Sequence, residues 1–337
     1  MIKINSLATK YRPNDFESVC GQKSIVKILN KQIETDNISN CMIFYGPSGT
    51  GKTTLARIFS NKVNNNCGEP IEIDAASNNG VDNVRLIVDQ AIERSLDSKY
   101  KVFIIDECHQ ITSAGWNAFL KCIEEPPKYT LFIFCTTDIN KVPDTIINRC
   151  QTYGLGRLDI DDIYNRLIFI CNEEHFNYEN DAIKYIANIS EGSLRLAISY
   201  LDKCKDYSTV LNLTNIIDCL GEYSYDIYFN LTNSIIDGND AMILTIIDDL
   251  YKRGSNLKLF ILKYLEFVLQ VQKFNIFKDI SVTTIPSSYK DKLEYTVNIG
   301  EPKKYFNYLL DKIMKLNKII SNNSESKTII ESVLITR

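Results

Sequence analysis

The run Gly46-Pro47-Ser48-Gly49-Thr50-Gly51-Lys52-Thr53 has the spacing G-x-x-x-x-G-K-[ST]. Glycines at these places let a tight turn bring backbone N–H groups against a multiply charged polyphosphate with no side chain in the way. A helix that starts at the lysine adds its own unpaired N–H groups. Lys52 then reaches the β- and γ-phosphates, the Thr53 hydroxyl offers an oxygen to Mg²⁺, and Thr54 continues the cradle into the helix. A second chemical element ends the run Lys101-Val102-Phe103-Ile104-Ile105-Asp106-Glu107. Asp106, closing an apolar strand, is placed to orient the water shell of the metal, and Glu107 beside it to polarise an attacking water. A phosphate cradle with paired carboxylates implies hydrolysis of a bound nucleoside triphosphate and not binding alone.

These groups work only where strands and helices hold them. Cys41-Met42-Ile43-Phe44-Tyr45 suits a buried parallel strand, and Thr54-Leu55-Ala56-Arg57-Ile58-Phe59 an amphipathic helix, so the loop sits between strand and helix as its chemistry requires. Around it the pattern predicts helix 23–35, strand 41–45, the phosphate-loop helix, strand 71–74, helix 81–95, strand 102–106, helix 114–124 and strand 131–136. That order predicts an α/β domain, a parallel sheet with helices on both faces and ligand at the carboxyl ends of the strands. From about residue 159 the strand signals stop. Helices are predicted at 163–171, 181–189, 193–204 and 213–220, a module of about sixty residues with little core of its own. A second helical block begins near Tyr223, with apolar faces in 242–251, 257–274 and 305–320, and a polar loop Asn322-Asn323-Ser324-Glu325-Ser326 before a last short helix. The expected domains are 1–158, 159–221 and 222–337. No internal repeat and no low-complexity linker interrupts them.

The chain has 337 residues, enough for two or three domains, and 38 basic against 42 acidic residues leave a formal charge of −4. Contact with nucleic acid therefore needs a local basic surface and not the bulk charge. None of the ten cysteines forms a C-x-x-C pair, several fall in predicted strands or helices, and they read as reduced thiols of a cytoplasmic protein. His109 and His175, the only histidines, are too few and too scattered for a histidine-based metal site. Met1-Ile2-Lys3-Ile4-Asn5 has no secretory pattern. Lys258, Lys263, Glu266 and Gln270 interrupt the most apolar stretch at helical spacing, which predicts a core helix and no membrane span. Trp116, the one tryptophan, falls in the helix after the acidic strand.

The ordered motifs resemble the clamp-loader ATPases of the AAA+ class, and within it the gamma/tau subunits of bacterial DNA polymerase III. Tyr11-Arg12-Pro13 with Phe16 and Gly21-Gln22 looks like the N-terminal adenine-side signature. Ile73-Asp74-Ala75-Ala76-Ser77, Leu120-Lys121 with Glu124-Glu125-Pro126-Pro127, and Thr136-Thr137-Asp138 follow in the family's order. Asn148-Arg149-Cys150 resembles its Ser-Arg-Cys signature, with Asn in place of Ser. The resemblance implies an ATPase using ATP and Mg²⁺, with a helical lid at 159–221 and an oligomerising collar at 222–337. It implies that Thr137 senses the γ-phosphate or attacking water, that Arg149 is an arginine finger directed into a neighbouring subunit's site, and that Arg195 is a second sensor. It implies DNA contact at Asn79, Gly80, Val81 and Arg85, where a helix start meets the template backbone. The implied partners are other clamp-loader subunits in a pentamer, a sliding clamp and primer-template DNA.

Two departures stand out. Bacterial gamma/tau subunits typically carry a four-cysteine zinc module after the phosphate-loop helix, whereas residues 61–71 here contain only Cys67. The purified protein is expected to hold no stoichiometric zinc; elemental analysis finding about one zinc per chain would contradict this. The chain also ends after the third expected domain, as a short gamma form would, such as a virus or another compact genome carries. Two rival readings share the motifs: another AAA+ DNA motor, such as a branch-migration helicase, and a non-catalytic scaffold subunit like the loader's stator. Against the helicase stand Glu124-Glu125-Pro126-Pro127 and a helical C-terminal block where a winged-helix reader would be expected. Against the scaffold stand Lys52, Thr53, Asp106 and Glu107, all present.

Overall fold

A computed structural model describes residues 6–299, 302–321 and 326–336. The opening Met1 to Asn5 and the polar residues Asn322 to Glu325 lie outside the described residues; Ser326 opens the helix Ser326–Ile335. Contacts divide the chain into two compact units, Met1–His175 with Ile186–Asp202, and Phe176–Tyr185 with Lys203–Arg337.

The first unit is built on five parallel strands: β1 (Cys41–Tyr45), β2 (Ile71–Asp74), β3 (Lys101–Asp106), β4 (Thr130–Thr136) and β5 (Gln151–Gly154), in the order β2-β3-β4-β1-β5. Alternation along each strand sends residues to opposite faces, so both faces must be covered. Ile43, Phe103, Ile105, Phe132 and Phe134 pack against the helices Val81–Ile92 and Ser113–Glu124. Met42, Phe44, Val102, Ile104 and Ile133 pack against Lys23–Glu34 and the phosphate-loop helix Lys52–Val63. Trp116 is 3% exposed and its ring lies 5.4 Å from that of Phe134, which fixes Ser113–Glu124 on the sheet. After β1 the chain crosses to the far edge and returns through β3 and β4, so the crevice at the carboxyl end of β1 opens where strand order reverses.

Among the described residues the second unit is helical except for one pair of two-residue strands, β6 (Asn177–Tyr178) and β7 (Val210–Leu211). This corrects the expectation that strands stop at residue 159; two residues each is too short a run to show a period of two. Helices Tyr225–Asp237, Asp240–Lys252 and Leu257–Phe277 each begin with a side-chain cap, from Ser224, Asn239 and Asn256. Gly238, at φ +68°, turns the chain between the first two. Leu257–Phe277 is the core helix expected. Its Phe260, Tyr264 and Phe267 stack against Tyr228, and the Tyr264 hydroxyl is satisfied by Thr232 Oγ1 at 3.0 Å. No helix among the described residues is long and apolar enough to cross a membrane.

Candidate nucleotide site

The loop between β1 and Lys52–Val63 has the conformation its glycines allow. Gly46, Gly49 and Gly51 have φ of +144°, +76° and +103°. Gly49 is also a close approach: a Cβ there would come within 2.0 Å of Ser193 Oγ and 3.2 Å of Arg195 Cβ. Thr50 is nearly buried and its hydroxyl donates to Pro47 O at 2.9 Å, closing the turn. Lys52, 6% exposed, donates to Gly46 O and Pro47 O, both at 2.9 Å, and burial pushes its ammonium below the usual lysine range.

Across the crevice, Thr53 Oγ1 donates to Asp106 Oδ2 at 2.8 Å, and Asp106 Oδ1 accepts from the Glu107 backbone N–H at 3.0 Å. A hydroxyl beside a carboxylate is a hard-oxygen donor pair, the kind that suits Mg²⁺. Glu107 turns away from strand geometry at φ +48°, and its Oε2 accepts from Thr137 Oγ1 at 3.2 Å. His109 Nδ1 stands 3.3 Å from the same Glu107 oxygen and 3.1 Å from Thr136 Oγ1. No local motif marks His109 for this place.

A cavity of about 290 Å³ is lined by Tyr11, Arg12 and Pro13, by Ser48 to Thr54, by Asp106 and Glu107, and by Arg195; Thr137 stands behind this lining and meets it through Glu107. Val19, Cys20, Leu158 and Ile198 give it an apolar end suited to a base. Sequence reasoning missed those four, and Ser193, because they meet the loop only through long-range folding. Tyr11 is held by its hydroxyl, which donates to Glu174 Oε1 at 2.5 Å, and by Arg166, which donates to Tyr11 O at 2.9 Å. Burial and the Glu174 carboxylate push the Tyr11 hydroxyl up to about 12. The Arg12 guanidinium is held below its ordinary range by burial and by repulsion from Arg57.

Two sets of expected residues lie elsewhere. Arg149 precedes β5, whose Gln151 pairs with Met42, so it stands at the amino-terminal edge of the sheet, away from its own phosphate loop. Four residues of strand separate the two edges, roughly 13 Å. There Arg149 contacts Glu124 at 2.7 Å and donates to Thr145 O at 2.7 Å. Asn79, Gly80, Val81 and Arg85 form another surface. Asn79 O is fixed by the Thr112 backbone N–H at 3.1 Å, and Gly80 begins the helix with no side-chain cap, leaving its first N–H groups open. Arg85 is exposed and pairs with Asp82 at 3.2 Å, a carboxylate that competes with any phosphate brought to it.

Comparisons with known proteins agree with this construction. A family model described as DNA polymerase III, delta subunit, matches residues 69–159. DNA polymerase III subunit gamma of Buchnera aphidicola subsp. Schizaphis graminum is 30% identical over 293 residues, covering 80% of this chain and 81% of the relative. DNA polymerase III subunit gamma/tau of Mycoplasma genitalium is 33% identical over 327 residues, covering 90% of this chain and 54% of the relative. Subunit tau of Bacillus subtilis is 35% identical over 268 residues, covering 73% and 48%. The chain thus spans about half the length of the Mycoplasma and Bacillus relatives. Among solved structures, the Thermotoga maritima RuvB Holliday junction branch migration motor matches with a TM-score of 0.54 at 18% identity, covering 73% of this chain and 86% of that one. That likeness is one of fold, the AAA+ fold. With a relative covered over four-fifths of both chains, and the strand order and phosphate loop in place, this chain belongs to the DNA polymerase III gamma/tau subunit family.

Proposed function

We propose that this chain is an ATPase subunit of a DNA-replication clamp loader, in which ATP binding and hydrolysis drive a sliding clamp open and onto primed DNA. The observation that carries the ATPase is the convergence of the phosphate loop, Asp106, Glu107 and Arg195 on one cavity within one compact unit. Membership of the gamma/tau family carries the loader.

In this reading Tyr11, Arg12 and Pro13 hold the base side, and the loop's N–H groups with Lys52 hold the phosphates. Thr53 and Asp106 would hold Mg²⁺, which when bound neutralises charge on the β- and γ-phosphate oxygens. Glu107 orients and deprotonates the attacking water, and Thr137, hydrogen-bonded to that carboxylate, fixes its direction. Arg195 stands beside Gly49 at the start of helix Leu194–Tyr207 and meets the nucleotide from the helical side. Arg149 stabilises the transferring phosphoryl group of a neighbouring subunit. The functional division is a nucleotide-binding domain at 1–158, a lid at 159–221 and a collar at 222–337 that assembles subunits into a pentamer.

Clamp-dependent loading onto primed DNA, measured beside migration of a branched DNA, tests the proposal. Loading with no migration is the expected result; migration without a clamp would turn the reading to a branch-migration motor. Failure of the isolated chain to bind nucleotide would turn it to a scaffold subunit.

The DNA surface yields its own expectation. With the open helix start at Val81 and Arg85 one turn in, Arg85→Ala should weaken primed-template binding on every sequence alike and lower the salt slope by about one. Clamp-dependent stimulation falls with it. A loss confined to some sequences would argue against a backbone contact.

A further inference from the structure

Glu124 touches nothing in the nucleotide cavity, yet it sits 2.7 Å from one terminal nitrogen of Arg149, while the other terminal nitrogen donates to Thr145 O at 2.7 Å. Two anchors on the two ends of a planar fork fix the plane of the guanidinium and leave three of its five N–H donors for another acceptor. The Arg149 side chain is 39% exposed, so its own subunit does not enclose it.

We propose that Glu124 is the positioning residue of Arg149: it holds the guanidinium in one arrangement from which it meets a neighbouring subunit's ATP site. The inference rests on reading Arg149 as a finger in trans. Flexible arginines lose rotamer freedom when they meet a target, and an arginine already confined loses less at that moment. Glu124 is suited to confine it because it ends a helix that cannot shift. Trp116, Phe119 and Ile123 of Ser113–Glu124 are buried against the sheet, and its amino end is tied to the Asn79 loop through Thr112. That amino end follows directly on the segment bearing Glu107 and His109. One rigid helix therefore joins the carboxylates of a chain's own site to the arginine it offers to the next. The two side chains are 39% and 46% exposed, and an ion pair so exposed adds little to folding.

The test uses the assembled loader with clamp and primed DNA, following steady-state ATPase activity, nucleotide affinity and melting temperature. Glu124→Ala is expected to lower kcat about tenfold through misplacement of the finger, with the KM for ATP and the melting temperature unchanged. Glu124→Gln keeps an oxygen that accepts from the guanidinium and should recover part of the rate. In an Arg149→Ala background, Glu124→Ala should cause no further loss, since it acts only through that arginine. Full rates in both Glu124 variants, beside an impaired Arg149→Ala, overturn this inference and leave the finger reading standing. An equal loss from Glu124→Ala with and without Arg149 overturns it as well. Arg149→Ala with undiminished hydrolysis overturns the finger reading itself, and this inference falls with it.

Discussion

Arg149→Ala is expected to leave ATP binding nearly intact and to slow hydrolysis in the assembled complex by roughly 10³–10⁵, the range a guanidinium supplied in trans contributes. In activation terms that is about 4–7 kcal/mol. The expectation comes from placement. The register Met42↔Gln151 puts Arg149 at the end of the sheet opposite its own phosphate loop, so its natural target belongs to another chain. Mixing gives the decisive measurement. An Arg149→Ala chain has an intact site and a Lys52→Ala chain an intact finger, so where the two meet in the right order one working site forms and part of the ATPase activity returns. If mixing restores nothing while both variants still assemble, the assignment in trans is wrong.

Lys52→Ala should abolish nucleotide affinity or turnover. Lys52 is the cation of the phosphate loop, 6% exposed and bonded to the carbonyls of Gly46 and Pro47, so alanine removes both the charge and the tie across the turn. The fold should survive, because the layer between the phosphate-loop helix and the sheet is closed by apolar residues such as Phe44, Leu55 and Phe59 that the substitution does not touch. Isothermal titration with ATP, beside a melting curve, reads both halves. Retained ATPase activity in the assembled complex would remove Lys52 from the proposed site.

β1, β3 and β4 were legible because they are short, apolar and buried on both faces, and β2 because Ile71 and Ile73 alternate with Glu72 and Asp74. β1 and β2 have the bounds their residues suggest, and β3 and β4 start one residue earlier, at Lys101 and Thr130. β5 was not legible. Of Gln151-Thr152-Tyr153-Gly154 only Tyr153 is buried, so an edge strand of four polar or small residues gives no alternation to read. The helix expected at 81–95 ends at Ile92, where Glu93 is already extended; Glu93-Arg94-Ser95 suits a helix locally, but no core residue holds it there. Site residues followed the same division. Gly46 to Thr54, Asp106 and Glu107 lie within local motifs, whereas Ser193 against Gly49, Glu174 on Tyr11 and Glu124 on Arg149 are partners across the chain, and neither member of a pair names the other in the sequence. His109 stands only two residues past Glu107 and is still unmarked in the sequence, because its contact with Glu107 depends on the left-handed turn at Glu107.

The cavity draws its walls from stretches far apart along the chain, the segment around Tyr11, the phosphate loop, Leu158, and the helix Leu194–Tyr207 that carries Arg195. The Leu7 backbone N–H is bonded to Asp202 at 3.3 Å, which closes the same circuit from behind. A nucleotide in contact with all of them acts as a reversible cross-link, and mass action then ties the cohesion of these segments to its concentration. At a hundredfold excess over Kd the gain is about 2.7 kcal/mol, and it vanishes as the free nucleotide falls below Kd. With ATP bound as proposed, the amino-terminal turn that carries Tyr11 would be held more firmly than in the empty chain.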